Sequence, residues 1–561
     1  MKLTSFGATL LPCLFPLAGC ADVLGLDVYD GTGGTGGTTT SAGGGTTTSD
    51  GGGGTGGTTS TTSTGGGGSG GTTTTTTPTL APVCDPGAKE ACYEGFPLTE
   101  GIGECTSGER TCDGDGQWGA CLGQVLPALE SCTTQVIDES CDNLAKCTGA
   151  FRWAKRFGGA GDQIPTSVAA GPDGSVHVVG QAGGELDFGG GALPAGGGLD
   201  FFVARRDRDG KHLWAKRFGD DLDQKGVDVA VDAAGNVVIL GNAAGMIDFG
   251  GGALPIAGAA DLVVAKLAPD GTHLWSKSFG GALAETAGAV AVDPAGDVLL
   301  AGSDPSSVLL RKLSAADGST LWNKSFPTAG VTGVTDLAVA KNGDVILLAY
   351  SAASIDFGGG APPPHGNFDV LVARFDTSGL PLWSHSYGGT GNDYAYSAAV
   401  DGAGAVALVG HTDGAFQFDP LVLAETPNKG ALDVAVWKIN ADGTTAWGKL
   451  LGDAGAQYGF GIAADLLGNI VVSGTFASTI TLDKPLTAGA AIYDHYLTKL
   501  APGGTALWSL QIPNAAGAQP RVAVDPLGNI AFTTGLVGTT NLGGGPLTST
   551  NADIVTATFA P

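Results

Sequence analysis

Trp153-Ala154-Lys155-Arg156-Phe157 returns as Trp214-Ala215-Lys216-Arg217-Phe218, Trp275-Ser276-Lys277-Ser278-Phe279, Trp322-Asn323-Lys324-Ser325-Phe326 and Trp383-Ser384-His385-Ser386-Tyr387, and more loosely around Trp447 and Trp508. Successive tryptophans lie 61, 61, 47, 61, 64 and 61 residues apart. A fixed period of this size marks a repeat architecture, in which each unit buries its apolar face only against its neighbours.

Working outward from Trp275, one repeat divides into four strands: a, Val227–Asp232; b, Asn236–Gly241; c, Asp261–Leu267; d, His273–Phe279. The joints from a to b (Gly235-Asn236) and from c to d (Asp270-Gly271) are short and carry the residue pairs that close hairpins. A four-stranded antiparallel meander is a propeller blade. Strand a occurs seven times, at Val168, Val229, Val290, Leu337, Ala399, Ile462 and Val522, and strand c seven times, the last at Asp553–Phe559. Only Ala560 and Pro561 follow Phe559, so the seventh blade lacks its own strand d. The surplus strand Phe151–Phe157 is expected to fill that place and leave no open edge in the ring.

The expected fold is therefore all-β: a seven-bladed β-propeller with four-stranded blades over 151–561, preceded by a small disulfide-rich module and a disordered linker. A ring that closes on itself is expected to be monomeric.

The repeats share an Asp-Phe-Gly-Gly-Gly-x-Leu segment (Asp187 to Leu193, Asp248 to Leu254), an Asp-x-x-Val-Ala-Lys/Arg strand and an Asp-x-x-Gly-x-x-Leu-Trp turn. In these motifs the region 151–561 resembles the bacterial seven-bladed β-propeller repeat family. The third blade departs from the pattern by lacking the Asp-Phe-Gly-Gly-Gly excursion, hence its shorter spacing.

Upstream, residues 1–19 begin with Lys2, pass through Leu10, Leu11, Leu14, Phe15 and Leu17, and run into Leu17-Ala18-Gly19-Cys20. The apolar run is too short for a spanning helix and reads as a cleavable leader. Its end matches the bacterial lipoprotein box, which implies cleavage before Cys20 and lipid on Cys20. More than one acyl chain there anchors stably where a single chain would not. The expected location is the cell envelope, at the outer membrane or cell surface, with the membrane as a partner through the lipid.

From 20 to 80 the chain is largely Gly, Thr and Ser, which cannot bury enough apolar surface to offset ordering entropy. About 50 such residues reach on the order of 40 Å as a flexible tether.

Residues 81–150 hold Cys84, Cys92, Cys105, Cys112, Cys121, Cys132, Cys141 and Cys147, and no cysteine follows. Without paired Cys-x-x-Cys knuckles, the set reads as a disulfide framework in an oxidising compartment, with on the order of 100 connectivities open. The run Cys84-Asp85-Pro86-Gly87 through Gly116-Gln117-Trp118-Gly119-Ala120-Cys121 resembles a cysteine-rich module of myxobacterial surface proteins. Its end, Ile137 to Asn143, resembles a degenerate acidic metal-holding element. That resemblance makes Asp138, Glu139 and Asp142 candidate calcium ligands, although calcium takes six or more oxygens and these side chains supply few. No other cofactor is expected.

The chain has 561 residues, 27 Lys+Arg against 54 Asp+Glu, and a net charge of -27. Nucleic-acid binding needs a basic stripe to release counterions from phosphates, so this balance argues against it. Over 151–561 no zincin, nucleophile-elbow or phosphate-loop motif is present. The segment Ala316-Asp317-Gly318-Ser319-Thr320-Leu321-Trp322 invites comparison with the tryptophan motif of quinoprotein dehydrogenases, but its spacing is shorter, and one tryptophan per outer strand is explained by packing.

The expected function is non-enzymatic: a lipoprotein whose propeller binds a glycan or an envelope protein. The alternative is a secreted propeller hydrolase or lyase whose catalytic groups are dispersed over several blades. Connections in an up-and-down meander alternate between the two faces of the ring. The d-to-a loops and b-to-c excursions therefore share a face opposite the tight turns, and long loops on a rigid scaffold carry function. On that face the sequence places Asp162, Asp223, Asn392, Asp393 and Tyr394, together with His365, His411 and His495.

Overall fold

The computed structural model describes residues 84–95, 99–128, 138–139, 141, 147–418, 429–453, 455–489, 493–513 and 519–561. The expected leader and tether, with Cys20, Cys132 and Asp142, lie outside them. Seven four-stranded antiparallel sheets make the propeller. In blade 2 they run Gln224–Val231 (a), Val237–Ala243 (b), Asp261–Leu267 (c) and His273–Phe279 (d). Strands b and c are central in each sheet and sandwiched between neighbouring blades, which is why they read as unbroken apolar runs such as Val237-Val238-Ile239-Leu240, all buried. Strands a pack on one another around the axis, and strands d form the outer edge.

Blade 7 is assembled from both ends of the propeller segment. Its strands are Arg521–Val524, Ile530–Asn541, Pro546–Phe559 and, as strand d, Phe151–Phe157. The last pairing is antiparallel, from Phe151 opposite Phe559 to Phe157 opposite Ile554.

The recurrent tryptophan sits on strand d and reaches the c-to-d turn of the next blade. Trp153 Nε1 donates to Arg208 O at 2.8 Å, Trp214 to Pro269 O at 2.9 Å and Trp275 to Ala315 O at 3.1 Å. The indole lies flat on the turn glycine, so a Cβ at Gly210 would come within 2.6 Å of Trp153. That glycine also has φ +78, a conformation other residues rarely adopt. The motif tryptophans are thus joints between blades.

The other motifs are joints too. In Asp-Phe-Gly-Gly-Gly, the aspartate accepts two backbone N–H groups (Asp187 from Gly189 at 2.6 Å and Gly191 at 3.1 Å) and turns the phenylalanine inward. Phe188, Phe249 and Phe357 are buried wedges. Phe249 stands 4.8 Å from Phe218 of the preceding blade, and Phe188 stands 5.0 Å from Phe157. The excursions therefore fold down into inter-blade crevices instead of standing free on the rim.

The aspartate that opens strand c accepts a backbone N–H from the end of the excursion: Asp200 from Gly196 at 2.6 Å, Asp261 from Ala257 at 2.9 Å, Asp433 from Lys429 at 2.6 Å. Blade 3, whose strands b (Val298–Asp304) and c (Ser307–Leu313) meet in a tight hairpin, needs no such acceptor and has Ser307 there. At the other end of strand c the basic residue reaches the a-to-b turn, as in Lys266–Asp232 at 2.9 Å and Lys438–Asp401 at 2.7 Å.

In the cysteine-rich module, Lys89–Cys92 pairs with Gly108–Thr111. Cys92 is bonded to Cys121 and Cys105 to Cys141, and Cys84, Cys112 and Cys147 are also in disulfides. Asp138 is buried and its carbonyl accepts Glu104 N at 3.2 Å. Among the described residues, no three acidic, histidine or cysteine side chains are placed to hold a metal ion.

Candidate functional site

Strand a carries a bulge in each of blades 1 to 6, between Gly226 and Asp228 in blade 2 and between Ala395 and Ser397 in blade 5. A bulge re-aims the side chains beside it. Here it turns Ser167, Asp228, Asp336 and Ser397 to the axis, where Arg521 of blade 7 joins them, each partly accessible from the axial channel.

Asp228 ties three blades together. It accepts from Ser167 Oγ at 2.6 Å and from Val290 N at 2.8 Å. Asp336 accepts from Ala398 N at 2.8 Å, and Arg521 Nη1 donates to Phe460 O at 2.7 Å. Burial raises both carboxyls above their ordinary range, and the neighbouring Asp228 charge adds to this at Asp336, which is pushed up to about 7. Burial lowers Arg521, against the attraction of Asp336 and Asp228. Groups from blades 2, 4 and 7 thus feel one another across the axis.

Above this polar neck, on the side of blades 4 to 6, aromatic rings meet in stacked, tilted and edge-to-face pairs. Phe368 stacks on Tyr394 at 5.6 Å, Tyr394 is 5.5 Å from His411, His411 is 4.8 Å from Tyr458, and Tyr458 is 6.0 Å from Tyr493. Phe368, Tyr394, Tyr458 and Tyr493 are partly exposed. Tyr350, Tyr396, His411 and Phe460 are buried beneath and between them. Burial raises the Tyr394 and Tyr396 hydroxyls and lowers His411 to about 4, so all three are neutral at pH 7.

Blades 1 to 3 offer no counterpart. At the Tyr394 and Tyr458 position they have Ile164, Lys225 and Thr286; at the Tyr396 and Phe460 position, Thr166, Val227 and Gly288. Sequence reading placed Tyr394 and His411 on this face but missed Phe368, Tyr396, Tyr458, Phe460 and Tyr493. Laying the seven strands a one above another would have shown the aromatic enrichment of blades 5 and 6.

Of the other residues expected on this face, Asp162 and Asp223 are exposed, and Asp223 accepts Leu199 N at 3.0 Å. Asn392 donates to Asp413 at 2.7 Å beside Tyr394. His365 is partly exposed, and its backbone N–H is held by Asp369 at 2.7 Å.

Besides the buried His411, two others are not at the surface. Asp393 is buried and accepts Gly389 N at 2.7 Å, closing its d-to-a loop as Gln163, Gln224 and Gln457 close theirs. His495 is buried in strand c of blade 6, bonded to Thr534 Oγ1 at 2.8 Å, where the other blades place Phe201, Leu262, Val308, Val370, Val434 and Ile554. It sits between blades, so the parity of the loops did not govern it.

Neither a family model nor a curated protein matches the chain. Among solved structures, it is similar to the WD40 domain of Neurospora crassa Pan2 (10% identity, 74% of this chain and 97% of that one, TM-score 0.40). It is also similar to BamB from Moraxella catarrhalis (12%, 73% and 99%, TM-score 0.33) and to the quinohemoprotein alcohol dehydrogenase from Comamonas testosteroni (11%, 73% and 76%, TM-score 0.37). At these identities the likeness concerns the propeller fold alone.

Proposed function

We propose that the chain is a cell-envelope lipoprotein that presents a propeller of the bacterial seven-bladed repeat type as a non-enzymatic binding surface, with the channel mouth over blades 4 to 6 as its binding face. The observation that carries this is the one-sided run of partly exposed rings beside the channel, on a scaffold whose other repeated residues are consumed in joints between blades. Export and anchoring are supported by Leu17-Ala18-Gly19-Cys20 and by the disulfides Cys92–Cys121 and Cys105–Cys141, which persist in oxidising compartments.

Two measurements test it. A palmitate analogue should label the wild-type protein and not Cys20→Ser. Binding of the purified protein to envelope preparations should be lost in Tyr394→Ala and Tyr458→Ala and kept in Lys211→Ala and Thr272→Ala, which alter the opposite turns. The reverse pattern places the binding face elsewhere.

A second reading, a propeller enzyme with dispersed groups, is favoured by the electrostatic influence that Asp228, Asp336 and Arg521 of three blades exert on one another. Against it, both carboxylates are already bonded to neighbouring backbone. Hydrolysis of any substrate from a glycoside and ester panel by wild type but not by Asp336→Asn would decide for it.

A further inference from the structure

We infer that the ligand at the channel mouth is a neutral, unbranched polysaccharide lying over the line of partly exposed rings of Phe368, Tyr394, Tyr458 and Tyr493, which the buried His411 bridges between Tyr394 and Tyr458. This deepens the binding-face reading above and rests on it. The line crosses from the start of strand c in blade 4, over strands a and b of blade 5, to strand a and the start of strand c in blade 6. Neighbouring rings along it are 4.8 to 6.0 Å apart.

Three features of the line select the chemistry. An aromatic face carries negative quadrupolar charge and packs against weakly positive C–H groups, and the C–H face of a pyranose presents such groups in a plane. The rings follow one another with their planes turned by 28 to 74° from one to the next and are packed on buried rings beneath, so the units of a linear chain can meet the exposed parts of Phe368, Tyr394, Tyr458 and Tyr493 in turn without the protein reorganising. The row is flanked by acidic and amide groups, Asn392 and Asp413 joined at 2.7 Å next to Tyr394, which suit sugar hydroxyls.

The same acidic flank, on a chain of net charge -27, repels anionic polysaccharides and nucleic acids. A proline-rich peptide could also stack on tyrosines. The observations favour sugar over it because Asp413 and Asn392 are already locked to each other in a pair that presents oxygens to hydroxyl donors, which a proline ring lacks.

The test uses the full chain and hexasaccharides of β-1,4-glucose, β-1,3-glucose, α-1,4-glucose, β-1,4-mannose and β-1,4-xylose, read by calorimetry and by tyrosine fluorescence. Hexagalacturonate and a proline-rich decapeptide serve as comparisons. At least one neutral hexasaccharide should bind, its trisaccharide more weakly. Tyr394→Ala should lower the affinity roughly tenfold or more, as expected for loss of a central anchor. Tyr394→Phe should keep it, and Leu382→Ser on the outer edge should leave it unchanged. Tyr493→Ala gives the same readout should Tyr394→Ala lose its cooperative melt.

Absence of binding to every neutral hexasaccharide, tighter binding of hexagalacturonate or of the decapeptide, or binding indifferent to both tyrosine substitutions overturns the inference. If the sugars fail while Tyr394→Ala still abolishes envelope binding, the ligand class falls and the face stands. If envelope binding is also indifferent to Tyr394→Ala, the face falls with it.

Discussion

The indole of Trp508 lies against Gly149, where a Cβ would come within 2.9 Å of the ring. The two are 359 residues apart in sequence, yet they reproduce the contact that Trp153 makes with Gly210 and Trp214 with Gly271 inside the ring. Gly149 has φ +63, as the turn glycines do, and Ala560 N donates to Ala150 O at 2.8 Å as Asp207 N does to Lys211 O at 3.0 Å. Residues 149–150 and 560–561 therefore build, from two separate segments, the c-to-d turn that blade 7 otherwise lacks.

This seam should govern the stability of the ring. Gly149→Val, which forces a side chain into Trp508 at a positive φ, should lower the melting point by the equivalent of about 1–3 kcal/mol. Removing 151–157 should expose the edge of Pro546–Phe559 and produce aggregates in size-exclusion chromatography. A monomeric, cooperatively melting deletion would show that the pairing is dispensable.

His495 should make the protein acid-labile. Burial lowers it from 6.5 to about 3, so the unfolded chain takes up the proton first as pH falls. Its contribution is intact above about pH 6.5 and is lost progressively towards pH 3, amounting to about 2 kcal/mol at pH 5. His495→Val restores the apolar residue that Val370 and Val434 provide in other blades. It should melt higher than wild type at pH 5 and nearly alike at pH 8, where only the bond to Thr534 is lost. Equal differences at both pH values would mean that protonation is not involved.

The wedges should be costlier to remove than their excursion position suggests. Phe249→Ala should destabilise by about 3–5 kcal/mol, the range for emptying a buried aromatic site, as measured by denaturant unfolding. Leu283→Ser, at an exposed site on the same face, should be near neutral.

How much of this was legible in sequence follows from the kind of signal involved. Period and turn chemistry are local, so the blades, the Trp motif and the closing strand Phe151–Phe157 could be read directly. The wedge role of Phe188 and Phe249 could not, because Gly-rich excursions look like open loops until a neighbouring blade is placed against them. The aromatic line was only partly legible: Tyr394 and His411 stand in loop-proximal positions that parity finds. Tyr458 and Tyr493 become their neighbours only when blades 5 and 6 pack. His495 was misplaced because one residue of register separates the rim from an inter-blade core position. Asp393 looked like a polar loop residue, although its carboxylate is spent on Gly389 N.

Asp393 supplies the last prediction. In blades 1, 2 and 6 the equivalent glutamine both accepts and donates: Gln224 Oε1 takes Asp220 N at 3.0 Å, and its amide gives to Asp220 Oδ1 at 2.6 Å. Asp393 can accept but not donate when ionised, and it stands beside Asp369 with Gly388 between them. Burial, with Asp369 and Asp413 adding to it, pushes Asp393 from 3.8 up to about 7. The folded state thus holds a proton that the unfolded chain has released, and stability falls as pH rises from about 4 to 7. Asp393→Gln should remove part of that loss and supply the missing donor, raising stability by on the order of 1–2 kcal/mol at pH 8 and by little or nothing at pH 4. Its five-residue loop, Gly388 to Asn392, has the same length as Gly158 to Asp162 before Gln163, so the longer side chain has a template in the same molecule. Thermal melts of the two proteins across this pH range check it; a substitution that destabilises at pH 8 would mean that the Asp393 carboxylate is held ionised and favourably bonded.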